Sequence, residues 1–242
     1  MLNSGFIPCD GVDALVQSTG DKWKNSGVTT SVIIGRFSPF HAGHAAFFET
    51  VMAMGLDFHV ILNANVNTAN GKNPYNVGQK IEMIRLALPR IPEERLHPLK
   101  FYLGLGGVDV GADKDQLVAK IEEIAPHDKV VICYIRKEDD IKDFLVHGKI
   151  LHGHYVDMLP FQKQILVPHA EYSELCATSV REGTAPDNAL HPKVKIFLDW
   201  EKAKAELNGR RLGDDSREDT KFIARPDGLP LVQSKIRSYD FG

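Results

Sequence analysis

Cysteine is scarce, basic residues are not in excess, and long apolar runs are missing. The three cysteines, Cys9, Cys133 and Cys176, lie far apart in 242 residues. That spacing gives neither a disulfide framework nor paired zinc ligands, so they read as reduced thiols. With 29 Lys and Arg against 32 Asp and Glu, the formal charge is -3 and the pI is near 6.4. Nucleic-acid binding usually needs clustered cations, so no nucleic-acid partner is expected. No stretch approaches the roughly 20 apolar residues of a spanning helix, so no membrane role is expected either. The first residues do not combine a basic start with an apolar stretch, because Cys9, Asp10, Gly11 and Asp13 interrupt it. A secretory leader is therefore not expected, and a cytoplasmic location is.

The remaining composition is that of a globular chain, with 43% hydrophobic and 25% charged residues and a mean hydropathy of -0.20. Residues 1–30, rich in Gly, Asn, Ser and Asp, read as an N-terminal extension. Residues 31–207 read as one main domain, and residues 208–242 as a C-terminal arm or tail. Within the domain, apolar runs predict strands at Ser31–Gly35, Phe58–Leu62, Lys100–Leu103, Lys129–Ile135 and Gln164–Val167. Helical patterns fall between them at Gly43–Met54, Asn76–Leu88 and Asp115–Ala125, and a last one covers His191–Leu207. Ile81, Ile84 and Leu88 share one helix face, and Ile196, Trp200, Ala203 and Leu207 share another. Strands alternating with helices imply an α/β fold whose mostly parallel sheet carries helices on both faces.

The turn after the first strand, Gly35-Arg-Phe-Ser-Pro-Phe-His-Ala-Gly-His44, lies where open α/β sheets bind ligands, beyond a strand's carboxyl end. Gly35 permits close backbone approach and Pro39 stiffens the turn. The following helix would aim N–H groups and its positive dipole end at an anion. His41 and His44, three apart, would project to one side of a first helical turn, and Arg36 adds a planar cation suited to phosphate. Two histidines alone are more often surface or core residues, and a metal pair lacks a third ligand. The surrounding Gly, Arg and Pro favour an anion site. This string resembles the signature of the nucleotidyltransferase superfamily shared with class I aminoacyl-tRNA synthetases. Its Gly-Arg-Phe opening is similar to archaeal-type nicotinamide mononucleotide (NMN) adenylyltransferases. The resemblance implies a Rossmann-like, doubly wound fold in which His41, His44 and Arg36 contact ATP phosphates. It also sets Gly35, Phe37, Ser38, Pro39 and Gly43 around the nucleotide.

A second segment, Leu175-Cys-Ala-Thr-Ser-Val-Arg-Glu182, resembles the family's I-S-x-T-x-x-R signature. By that resemblance Thr178 and Ser179 offer donors to a phosphate, and Arg181 neutralises the β- and γ-phosphates. Cys176 stands where Ser is usual and is a poorer donor. Asn73-Pro-Tyr-Asn-Val-Gly-Gln-Lys-Ile-Glu-Met-Ile84 is similar to an N-P-aromatic segment followed by a helix with E-R-x-x-M-I. Tyr75 is expected to stack on a cationic nicotinamide ring, with Asn65 and Asn73 bonding its carboxamide or ribose. Gln79-Lys80 in place of Glu-Arg weakens any charged role for that helix. The residues alone also read as a turn leading into a helix cap. Arg136–Asp140 resembles a nucleotide-side position that includes Lys137, though as residues it is a solvated charged loop. His147, His152 and His154 complete no zinc site.

The resemblance implies AMP transfer from ATP, with Mg²⁺, to the 5′-phosphate of NMN or nicotinate mononucleotide, forming a dinucleotide and pyrophosphate. A homo-oligomer stays open. Rival readings are phosphopantetheine, FMN or cytidylyl enzymes, which open with G-T-F-D, and a non-catalytic ATP or pyridine-nucleotide sensor.

Overall fold

Among the residues that the computed structural model describes, 20–64, 74–100, 110–136, 164–168 and 175–207, five strands form one sheet in the order β3-β2-β1-β4-β5. They are β1 (Thr30–Gly35), β2 (Asp57–Asn63), β3 (Leu96–Leu99), β4 (Val130–Arg136) and β5 (Gln164–Pro168). Every adjacent pair is parallel. Strands buried on both faces read as continuous apolar runs. Accordingly Val32 and Ile33 of β1, Val60, Ile61 and Leu62 of β2, and Val131, Ile132 and Cys133 of β4 are all buried.

Helices α1 (Ala42–Ala53), α2 (Val77–Ala87) and α3 (Val110–Ile124) cross between successive strands from β1 to β4, and α4 (Ala177–Arg181) and α5 (Pro192–Leu207) follow β5. The two-residue period of each strand divides its side chains between two layers. Ile33, Val60, Leu62, Val131 and Cys133 pack with Phe48 of α1, Met83 and Ile84 of α2, and Val194 and Trp200 of α5. Val32, Ile61, Val130 and Ile132 pack with Leu117 and Ile121 of α3. The sheet is therefore covered on both faces, as the alternation predicts. No helix among the described residues is long and apolar enough to cross a membrane.

Several details differ from the expectations. Of the expected Lys100–Leu103, residues 101–103 lie outside the described residues; the third described strand is Leu96–Leu99. Its sequence Leu-His-Pro-Leu lacks β-branched residues, and Pro98 is tolerated because β3 lies at the sheet edge. Helix α3 begins at Val110, not Asp115. On α5 the buried stripe is Val194, Phe197 and Trp200, while Ile196 is exposed and Ala203 faces solvent. The expected stripe is rotated because Trp200 fits either register and only packing on α2 selects one. Trp23 and Val28, within the stretch assigned to an extension, join the core. Residues 1–19 and 208–242 lie outside the described residues.

A polar cluster sits at the amino ends of β2 and β3, opposite the strands' carboxyl edge. His59 Nδ1 is 2.8 Å from His97 Nε2, and Arg95 reaches both His59 Nε2 and Asp57 Oδ1, the latter at 2.6 Å. A guanidinium can only donate, so toward Arg95 His59 Nε2 accepts and its Nδ1–H donates to His97, while Asp57 Oδ2, 3.2 Å from the same Nε2, accepts from it in the other neutral tautomer. Both rings are neutral in this arrangement. Burial first, then the charges of His59, Lys120 and Arg95, lower the His97 pKa to about 4, with Glu123 acting the other way. Burial likewise lowers that of His59, where Arg95 adds to the effect and Asp57 opposes it. Between these depressed folded values and an ordinary imidazole value near 6.5, the unfolded chain binds protons that the folded chain does not. Stability should therefore fall as pH drops through that window. The expected outcome is a thermal midpoint that declines between pH 6.5 and 4, each kcal/mol being worth about 2–4 °C at this size. His97→Gln, which keeps an acceptor for His59 but cannot titrate, should flatten the decline. An equally steep profile in that variant would remove His97 from the account.

Candidate active site

The winding of the sheet reverses beside β1. The chain moves outward from β1 through β2 to β3, then returns to place β4 on the other side of β1. Where crossovers leave in opposite directions, the carboxyl ends of the strands border a crevice. Gly35 ends β1 at that edge, opposite Leu62 of β2.

The turn after Gly35 is held from below. Phe37 has φ 49, a left-handed conformation uncommon outside glycine. This folds its ring back into the core, where it lies edge-on to Phe48 and His44, each at 5.1 Å. A Cβ added at Gly35 would lie 2.6 Å from the tip of that ring, so the position is closed to any side chain. What Phe37 can offer a ligand is its backbone, not its buried ring. Ser38 and Pro39 are also buried, and among the described residues the Ser38 hydroxyl has no hydrogen-bond partner. Arg36 is exposed.

His41 is the N-cap of α1, with Gly43 buried in the first turn. Its Nδ1 accepts from the His44 N–H at 3.4 Å, and His44 Nδ1 accepts from the His41 N–H at 3.4 Å. This is a capping box built from two imidazoles where a hydroxyl and a carboxylate are usual. The rings stack with centroids 3.6 Å apart and planes 21° apart, so they do share one side of the helix. Because each Nδ1 accepts, a neutral ring carries its proton on Nε2. Two fixed N–H donors at the positive end of a helix suit an anion better than a metal ion.

The second segment meets this turn. Cys176 caps α4 by accepting from the Ser179 N–H through Sγ at 3.4 Å, while the Ser179 hydroxyl donates to the Cys176 carbonyl at 2.8 Å. The thiol thus performs the capping task of a hydroxyl, though more weakly. From the end of this short helix, Arg181 Nη1 donates to the Ser38 carbonyl and Nη2 to Thr178 Oγ1 at 3.0 Å. Although Arg36 as a whole is exposed, its charged end lies against the protein, and that loss of hydration first, then the charge of Arg181, lowers its pKa. Two arginines from distant segments therefore face one turn.

Tyr75 borders the same place. Its ring is 7% exposed and belongs to the core cluster. Burial raises its pKa, and the charge of Arg181 acts in the opposite direction. As it stands, the ring is not an open platform for stacking. Asn65, Asn73, Lys137, His147, His152 and His154 lie outside the described residues.

Lys80 was missed by the sequence reading. Gln79 is taken up in capping α2 with Asn76, at 2.9 and 3.0 Å, and in a bond to Glu201 of α5. Lys80, by contrast, is fully buried, and its Nζ donates to the carbonyl of Asn63, the last residue of β2, at 2.7 Å. Its position one turn before Ile84, on the face marked as buried, was the available signal.

A protein-family model described as cytidylyltransferase-like matches residues 32–183. No curated protein sequence matches the chain. Among solved structures, the fold resembles a bifunctional NMN adenylyltransferase/ADP ribose pyrophosphatase from Francisella tularensis, with TM-score 0.44 and 16% identity, over 75% of this chain and 56% of that one. A second structure of that name, complexed with AMP and manganese, gives TM-score 0.46 and 19% identity over 75% and 53%. The chain thus spans little more than half the length of those proteins. Plasmodium falciparum nicotinic acid mononucleotide adenylyltransferase gives TM-score 0.43 and 13% identity over 72% and 96%.

Because the Phe37 ring occupies the space beside Gly35, Gly35→Ala should destabilise the fold by about 1–3 kcal/mol, the usual cost of overpacking. Urea denaturation measures this, and an unchanged midpoint would mean that the ring is not seated there.

Proposed function

The chain belongs to the cytidylyltransferase-like family of nucleotidyltransferases, and from that premise we propose that it transfers AMP from ATP to the 5′-phosphate of NMN or nicotinate mononucleotide. The observation that carries the reading is the bond from Arg181 to the Ser38 carbonyl. It joins the two segments that resemble the family's signatures around one crevice, with both imidazoles in the following helical turn. The Gly-Arg-Phe opening, by its resemblance to the NMN enzymes, favours the pyridine mononucleotide as acceptor.

In this reading the acceptor phosphate attacks the α-phosphorus of ATP in line. The bond to the β-phosphate oxygen breaks, and pyrophosphate leaves. The attacking oxygen is already anionic at neutral pH, so no general base is required. The protein's part is alignment and charge neutralisation. His41 and His44 donate from Nε2, Arg36 and Arg181 spread positive charge along the departing phosphates, and the start of α1 adds N–H groups. Among the described residues no group of three His, Cys, Asp or Glu side chains could hold a metal ion. Among the described residues the crevice offers imidazoles and cations, not the oxygen ligands that Mg²⁺ takes. The described residues offer no seat for a resident metal, and in this reading Mg²⁺ enters with ATP as MgATP, the substrate.

The test is pyrophosphate release from MgATP with NMN, nicotinate mononucleotide, phosphopantetheine and FMN, with CTP as an alternative donor. NAD formation with NMN is the expected result. Release with another pair would reassign the substrates, and binding without release would make the chain a sensor. His44→Ala should lose roughly a hundred- to a thousandfold in turnover, the usual cost of one preorganised donor, while its circular dichroism matches the parent. Parental turnover in that variant would exclude His44 from the reaction.

A further inference from the structure

The two hydroxyls of α4 are engaged inside their own segment. That of Ser179 donates to the Cys176 carbonyl at 2.8 Å, which commits its one hydrogen to the helix cap. That of Thr178 accepts from Arg181 Nη2 at 3.0 Å. Thr178 is exposed and stands three residues before Arg181, on the same side of the turn. Its backbone serves the helix separately, since its carbonyl accepts from the Glu182 N–H at 3.0 Å. The hydroxyl is therefore left to Arg181.

Arg181 needs that hold because of charge. It faces Arg36, and the like charges repel. A long side chain under that repulsion gains both relief and rotamer freedom by turning out to water. The bond from Nη1 to the Ser38 carbonyl would by itself let the guanidinium rotate about one axis. A second bond, from the other Nη, fixes its plane. Both acceptors are neutral. A carboxylate would orient the group equally well but would cancel its charge, and none of the ion pairs among the described residues involves Arg181. The clamp thus orients the cation and leaves its charge for an anion, with Nε–H and a second N–H on each Nη still to be used.

We propose that Thr178 is a positioning residue for Arg181: with the Ser38 carbonyl, its hydroxyl oxygen holds the guanidinium plane over the β1 turn, and it acts on a bound polyphosphate through Arg181 and not by a contact of its own. This rests on reading the crevice as the ATP phosphate site. It also reassigns Thr178, whose sequence context points to a direct phosphate donor.

The experiment is a double-mutant cycle on MgATP affinity, measured by calorimetric titration of the full chain, with Thr178→Val, Arg181→Ala and the two together. Valine keeps the shape of threonine and removes the acceptor. Thr178→Val should weaken binding by roughly three- to tenfold, the usual range for one hydrogen bond, and Arg181→Ala by more. In the double variant valine should cost nothing further, because the group it positions is gone. Thr178→Ser keeps the oxygen and should recover most of the loss. A loss from valine as large without Arg181 as with it would mean that Thr178 touches the phosphates itself or serves only α4, and would overturn the proposal. Parental affinity in Thr178→Val or in Arg181→Ala would overturn it as well. If circular dichroism shows the valine variant unfolded, Thr178→Ala completes the same cycle. These outcomes leave the phosphate site standing. No binding heat in the parent, together with no protection from thermal unfolding by MgATP, would overturn that site and the proposal with it.

Discussion

The ring of Phe37 beneath Gly35 sets the shape of everything that follows β1. Because that ring turns inward through a left-handed backbone, the next residues must pass over it. The Ser38 carbonyl then comes within reach of Arg181, and His41 arrives at the start of α1. Each aromatic contact of Phe37, with Phe40, Phe48 and His44, is worth on the order of 1 kcal/mol beyond its burial. Together they hold a turn whose backbone conformation is unfavourable in isolation. The core thus positions the candidate site directly.

The site concentrates positive charge at some cost to stability. Arg36, Lys80 and Arg181 come from three different segments, and the lowered pKa values of Arg36 and Lys80 record their repulsion together with lost hydration. An arrangement of this kind is unfavourable when empty and favourable when an anion is present, which is the differential that a charge-neutralising site needs. Elsewhere the protein avoids the same cost. In the His59 cluster the rings stay neutral, and the guanidinium of Arg95 is matched by Asp57.

Helix termini connect these electrostatics to the backbone. The N-caps of α1, α2 and α4 are all closed by reciprocal side-chain bonds, yet with different chemistry. At α2 the Asn76 and Gln79 pair is an ordinary capping box. At α1 the same geometry is made by imidazoles, so capping the helix also fixes which ring nitrogen carries the proton. At α4 a thiol serves, which explains how Cys176 can stand where a hydroxyl is usual without opening the helix.

How much of this was written locally can be judged from particular residues. The runs at Ser31–Gly35, Phe58–Leu62 and Lys129–Ile135 declare buried strands, and Gly35 to His44 declares an anion-type turn. These depend on neighbours within one strand or one helical turn, where side-chain period and backbone preference act. Leu96–Leu99 became a strand without such a signal, because pairing with β2 and not local preference orders it. The same is true of the α5 stripe, which α2 selects. Tyr75 sits in the core rather than as an open platform, and Lys80 lies inside although its charge suggested otherwise. The sequence by itself determined the alternation of strands and helices, the turn and its two histidines. Only the tertiary structure decided the order of strands, the meeting of Arg181 with Ser38 and the burial of Lys80, because contacts between remote segments arise from closing the sheet and leave no period in the chain.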